Sequence, residues 1–192
     1  MAKGRVCTGF SAPFVALYSA AGGVVTYSSG QALARGVSVE LEIEAGDDNN
    51  FYADNVVAES SAGEFVSGTV TLTVDGLKDT ARKLILGLPT ADADGFVHYG
   101  DSSIIPYVGI GYIARFMEDG VTSYVPTIIP KAKFAVPGQS ASTQEDSIEW
   151  QTEELTASIF RDDTANKDWL LQGSDYATEA AAQTALESIL NA

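Results

Sequence analysis

A single histidine, His98, stands in the chain, so any Ser-His-Asp or Cys-His mechanism would have to use it. Asp92, Asp94, Asp101, Ser102 and Ser103 surround it in sequence, a set that suits either a metal loop or part of a triad. Asp92 and Asp94 followed by Gly95 open like a calcium loop, in which alternate residues supply oxygen ligands. The match ends there, because Phe96 stands where a third oxygen is required and Ser103 where the bidentate Glu belongs. Residues 90–101 therefore read as a polar loop whose aspartates make turns. Gly109-Ile110-Gly111-Tyr112-Ile113-Ala114 fits the dinucleotide pattern GxGxxA, which needs a helix opening near Gly111 to face a pyrophosphate. A period of two runs instead straight through to Phe116, and no carboxylate lies between Asp119 and Glu145, where a ribose-binding acid belongs.

Other chemistry is scarce. No GxxxxGK[ST] phosphate loop and no GxSxG elbow occurs. The one cysteine, Cys7, can form neither an intramolecular disulfide nor a Cys-based zinc site. Lys78, Arg82 and Lys83 form the sole basic cluster. It suits a phosphate or an acidic neighbour, and is read first as the solvated face of a helix. Asp47, Asp48 and Asp54 read as turn formers rather than a cation site. The sequence thus predicts no enzyme, no cofactor and no metal centre.

The elements that carry these residues are mainly strands. Residues 37–44 alternate so that Val37, Val39, Leu41 and Ile43 take one face and Glu40, Glu42 and Glu44 the other. Val66, Gly68, Val70, Leu72 and Val74 alternate with Ser67, Thr69, Thr71 and Thr73 in a second strand. Val108, Ile110, Tyr112, Ala114 and Phe116 share a face of a third, which Asp119-Gly120 turns back through 122–125. Pro126 and Pro130 are expected to interrupt that return, with pairing resumed over 131–136 and Ala132, Phe134 and Val136 inward. Over 146–160 the inward set is Ile148 and Trp150, then Leu155, Ala157 and Ile159, with a bulge near 152–154 restoring the phase. Two short strands, 13–18 and 24–28, are joined by Gly22-Gly23. This start lacks the Leu-rich centre of an export signal. Helices are predicted over 77–86, closed by Gly87, and over 178–190, with Ala182, Leu186, Ile189 and Leu190 as the apolar stripe. Two polar stretches, 45–64 and 138–145, read as extended loops.

Composition bounds what such a chain can do. With 192 residues, 45% of them hydrophobic and 19% charged, it suits one domain with a packed core, and no run of ~18 apolar residues spans a membrane. The formal net charge is -15, so a surface that grips nucleic acid is excluded as the main role. The charge is uneven: nine acids and no base lie between Arg35 and Lys78, and eleven acids against two bases from residue 139 to the end. Glu40, Glu42 and Glu44 read as a wet sheet face, or, repeated around a ring of subunits, as the wall of a negative channel.

The order of segments resembles a known family. It comprises Tyr52-Ala53-Asp54-Asn55 after an alternating strand, a helix closing in Leu84-Ile85-Leu86-Gly87, then Pro106-Tyr107-Val108-Gly109-Ile110-Gly111-Tyr112. Pro130-Lys131-Ala132-Lys133-Phe134 and Trp150-Gln151-Thr152 with Leu155-Thr156 follow. Together, over residues 12–175, they resemble the major tail protein family of long-tailed bacteriophages. The resemblance implies a mainly β fold, a β-sandwich or half-barrel of the tail-tube type with a flanking helix and a C-terminal helix. It implies a single domain over 1–192 with an arm at 45–64. It further implies hexameric rings stacked into a hollow tube, with tape-measure, tail terminator and tail-tip proteins as partners. DNA would pass without adhering, and there would be no catalytic residues. The subunit would be made in the bacterial cytoplasm and reside in the virion tail. Glu40, Glu42 and Glu44 are then the expected lumen lining, and Phe51, Tyr52 and Asp54 the expected assembly arm. The alternatives are a β-rich surface or pilus subunit, which needs export, a tail terminator or capsid decoration protein, and a ligand-binding module or enzyme built on His98.

Overall fold

The computed structural model describes residues 4–47, 49–61, 63–101, 103–139, 143 and 150–191. Its elements are β1 (Val6–Ala21), β2 (Val24–Ala32), β3 (Gly36–Ala45), β4 (Asn49–Ala53), β5 (Val56–Ser61), β6 (Phe65–Val74), α1 (Asp79–Leu86), β7 (Val108–Glu118), β8 (Val121–Phe134), β9 (Glu153–Phe160), β10 (Leu171–Gln172) and α2 (Glu179–Leu190). The protein is mainly β, as its alternating segments predict. Eight strands form one antiparallel sheet in the order β2-β1-β7-β8-β9-β6-β3, with β10 beside β8, and β4 and β5 form a separate two-stranded sheet.

Alternation divides the core between the two faces of the large sheet. On one face Val15, Val70, Leu72, Val74, Val108, Ile110, Ile129, Phe134, Leu155 and Ile159 pack together under Ala81, Ile85 and Leu86 of α1. On the other, Phe14, Ala16, Ile113 and Ile128 lie under Ala182, Leu186 and Leu190 of α2. Thr178 starts α2 as its N-cap, its side chain accepting a hydrogen bond from the Ala181 N–H at 3.3 Å. The two glycines of the GxGxxA segment lie within β7, with no helix opening there. A Cβ on Gly109 would stand 2.6 Å from the Tyr27 ring, and one on Gly111 2.7 Å from Leu190 and 2.9 Å from Leu186. These glycines let α2 approach the sheet.

Several expectations are corrected. Strand β8 runs unbroken through Pro126 and Pro130. The Pro126 carbonyl accepts from the Gly173 N–H at 2.8 Å, so its missing donor points toward the short strand β10 and not into the β7 ladder. Pro130 falls where the β7 register shifts, between the end of β10 pairing at Ile128 and the start of β9 pairing at Lys131. Val37 and Val66, expected inward, are exposed because each is the extra residue at a register shift of the β3–β6 ladder, and Val136 and Trp150 are exposed because they lie beyond the ends of β8 and β9. Strand β9 opens only at Glu153, so no bulge is needed to join it to Trp150; Ile148 lies outside the described residues, as does most of 138–145. Ile189 is half exposed beside the buried trio of α2. The largest difference is at 45–64, where a hairpin stands in place of an extended loop.

Candidate functional site

Strand β3 forms one edge of the large sheet and presents Glu40, Glu42 and Glu44 to solvent, while Val39 and Leu41 turn toward the core. The register places Glu40 opposite Thr71, Glu42 opposite Thr69 and Glu44 opposite Ser67. Ser67 Oγ donates to Glu44 Oε2 at 2.6 Å. On the next strand Thr69 pairs with Ser158, Thr71 with Thr156 and Thr73 with Glu154. The outcome is a continuous polar face: a row of carboxylates at the edge, then the hydroxyls of β6, then those of Ser158 and Thr156 with the Glu154 carboxylate at the end of their row. Successive carboxylates on one strand face stand roughly 7 Å apart, within the ~10 Å over which 0.1 M salt screens charge, so their fields add. The threonines complete a surface that the glutamates alone only suggest, and their signal is the same alternation.

Beyond the hydroxyls the face changes character. Lys131 Nζ donates to Asp163 Oδ2 at 2.7 Å, and Tyr18 donates from its hydroxyl to the same oxygen, also at 2.7 Å. Lys131 and Lys133 lie over the Tyr107 ring at 4.8 and 5.6 Å. The Lys131 ammonium, and then the Tyr18 hydroxyl, hold the Asp163 carboxyl below the usual aspartate range. Burial, reinforced by the hydrogen bond to Asp163, pushes Tyr18 up to about 12.

The second feature is the β4–β5 hairpin. Asp54 and Asn55 form its turn with φ of 51° and 65°, the left-handed pair of a type I′ hairpin that short polar side chains tolerate. Phe51 and Tyr52 are neighbours and so point to opposite faces, yet they are 63% and 62% exposed; Val56 and Val57 are exposed as well. Neither face of the hairpin is therefore covered by the domain. It joins the body through Gly46 and Gly63, whose backbones lie so close that a Cβ on Gly63 would stand 1.8 Å from the Gly46 carbonyl oxygen. The sequence reading names Phe51, Tyr52 and Asp54 but misses Val56 and Val57. The dipeptide Asp54-Asn55 between apolar residues was the available signal.

His98 and its neighbours form a turn of their own. Asp92 Oδ1 accepts from the N–H groups of Asp94 and Phe96 at 3.0 and 2.9 Å, while Oδ2 meets His98 Nε2 at 2.7 Å. No Ser hydroxyl is placed against His98 by any hydrogen bond among the described residues, and no three of their His, Cys, Asp and Glu side chains group closely enough to hold a metal ion. The His98 contact, followed by the backbone donors, holds the Asp92 carboxyl below its ordinary 3.8. A depressed carboxylate supports its loop above the ordinary aspartate range and loses that support as pH falls through its lowered value. In His98→Ala the Asp92 carboxyl is therefore expected to titrate at higher pH than in the native chain, as followed by ¹³C NMR. An unchanged titration would remove His98 from this role.

Of the basic cluster, Arg82 turns to Glu153, with Nη2 donating to Oε2 at 2.9 Å, and Glu153 also accepts from the Leu77 N–H at 3.1 Å. This half-buried pair fastens α1 to β9. Lys78 and Lys83 make no ion pair among the described residues. No helix among those residues is long and apolar enough to cross a membrane. No protein-family model matches the chain, and no curated protein matches it either.

Proposed function

We propose that the chain is the tail tube subunit of a long-tailed bacteriophage, a virion protein whose hexameric rings stack into a hollow conduit for DNA. The observation that carries this reading is the β4–β5 hairpin, which exposes apolar side chains on both faces and leaves the body where Gly46 and Gly63 come close together. A lone two-stranded hairpin is marginal in water, and exposed apolar patches mark contact surfaces, so the arm implies a partner. The free edges β2 and β3 support assembly in the same sense, because ring closure removes edges that otherwise invite uncontrolled pairing. A half-barrel subunit is supported by the return of β3 against β1, where the Phe10 ring occupies the space above Gly36.

The polar face supplies the mechanism. DNA must slide past the wall without binding, and a lumen of carboxylates backed by hydroxyls repels phosphate near contact while leaving the surface wetted. In this reading Glu40, Glu42 and Glu44 face the lumen, and tape-measure, terminator and tail-tip proteins are the natural partners inside the tube and at its ends.

Electron microscopy of the purified protein at rising concentration tests the proposal. Tubes support it, isolated rings favour a terminator, and monomers throughout overturn it. The combined change Glu40→Lys, Glu42→Lys and Glu44→Lys is expected to leave rings intact and to slow DNA ejection from assembled particles. Unchanged ejection, or a reconstruction with all three side chains on the tube exterior, would refute the lumen assignment.

A further inference from the structure

The β4–β5 arm is fastened at its root. Its strands leave the sheet just past the pair Ala45 and Phe65, through Gly46 and Gly63, and neither glycine has a side chain to hold a direction. The adjoining residues are gripped from another part of the chain. Strand β9 pairs with β6 as far as Ile159 opposite Gly68, and its continuation brings Arg161 to the arm's root. There Arg161 Nη2 donates to the Phe65 carbonyl at 2.8 Å and meets Glu64 Oε2 at 3.3 Å. The Phe65 ring stacks on Trp169, with centroids 4.9 Å apart and planes within 7° of parallel. Gly46 joins the same group, its N–H donating to the Glu64 carbonyl at 2.8 Å.

Arg161 and Trp169 meet because the loop between them is closed at its base, where the Asp162 N–H donates to the Asp168 carbonyl at 2.9 Å. Inside the loop, the buried Asp162 carboxylate accepts from the Thr164 N–H and hydroxyl at 3.1 and 2.7 Å. The Asp163 N–H donates to the Tyr18 hydroxyl at 2.9 Å, and the Asp163 carboxylate holds Lys131. The loop is thereby tied to β1 and β8 on one side and to the arm's root on the other. We propose that Arg161 and Trp169 are positioning residues, which fix the direction of the β4–β5 arm before any partner is met. An arm already ordered loses less freedom when it docks, so such a clamp strengthens association. The consequence for association rests on the reading of the chain as a self-assembling subunit; the clamp itself does not.

Distances within the monomer test the clamp. Cys7→Ser removes the one native thiol, and spin labels at Ala53→Cys on the arm and Ala180→Cys on α2, both exposed positions, are then read by double electron-electron resonance. The labelled chain should give one narrow distance distribution, and its Arg161→Ala variant a broad one, with circular dichroism unchanged. Equal widths overturn the proposal. Should Arg161→Ala fail to fold, Trp169→Leu keeps an apolar contact with Phe65 but not the flat stack, and the same two outcomes decide. In the unlabelled chain, Arg161→Ala is expected to raise the critical concentration for polymerisation about fivefold, the effect of one net hydrogen bond. An unchanged concentration beside a broadened arm would overturn the claim that the arm's direction serves assembly. A native chain that stays monomeric at every concentration overturns the self-assembly reading, while the distances still decide the clamp.

Discussion

Deletion of residues 46–62 is expected to leave a folded, soluble monomer that forms no tubes. The body should survive because the arm's apolar side chains lie outside both buried clusters. The cut also rejoins cleanly. Ala45 pairs with Phe65 across the β3–β6 ladder, so the deletion leaves Gly63 and Glu64 as a two-residue hairpin loop with glycine first, the arrangement of a type II′ turn. Val39 and Leu41 keep their places against the core, and Glu40, Glu42 and Glu44 stay on the outer face. Circular dichroism and thermal melting should therefore resemble those of the native chain, while sedimentation at high concentration shows monomer only. Tubes of normal yield would refute the arm's role in assembly, and loss of the folded state would show that the hairpin belongs to the core.

The largest expected effect on folding is that of Gly87→Ala. Gly87 ends α1 in the left-handed region, at φ 61°, and its N–H bonds back to the Lys83 carbonyl as the helix cap. A Cβ there would stand 2.0 Å from the backbone oxygen of Ile104, a group that cannot swing away as a side chain end can. Left-handed strain of about 1–3 kcal/mol and overpacking of a similar size then act together, for a loss of roughly 2–6 kcal/mol. Gly95 supplies the control. Its φ is 87°, but a Cβ there meets nothing within 4 Å, so Gly95→Ala should cost only the conformational part. Equal losses in the two variants by denaturant titration would mean that the Ile104 contact carries no weight.

The strand content was legible where alternation was strong and the strand paired along most of its length. Residues 39–43, 68–74, 108–116 and 155–159 gave the correct facing, because burial on one side of a sheet imposes a period of two that few other structures produce. The helices were legible from Gly87 at one C-terminus and from Thr178 and the spacing of Ala182, Leu186 and Leu190 in the other. Failures gathered at the ends of ladders. Val136 and Trp150 continue an apolar pattern past the ends of β8 and β9, and Val37 and Val66 fall at register shifts near the two ends of the β3–β6 ladder, where one strand has a residue more than its partner and a pattern in one strand cannot show it. The prolines of β8 misled for a related reason. Whether a missing donor matters depends on which neighbouring strand it faces, and this is a property of the sheet order.

The amino-acid sequence by itself determined a mainly β chain, the positions of both helices, an acidic row on one strand face and the lack of a recognisable catalytic motif. Each follows from local spacing or side-chain chemistry, which a linear chain displays directly. Only the tertiary structure decided that the row lies on an edge strand beside the hydroxyls of β6 and β9, and that Gly109 and Gly111 make room for α2. It also decided that the polar stretch after β3 is a hairpin with both faces uncovered. These depend on which strands become neighbours and on what fails to cover them, relations between residues far apart in the chain that no local pattern contains.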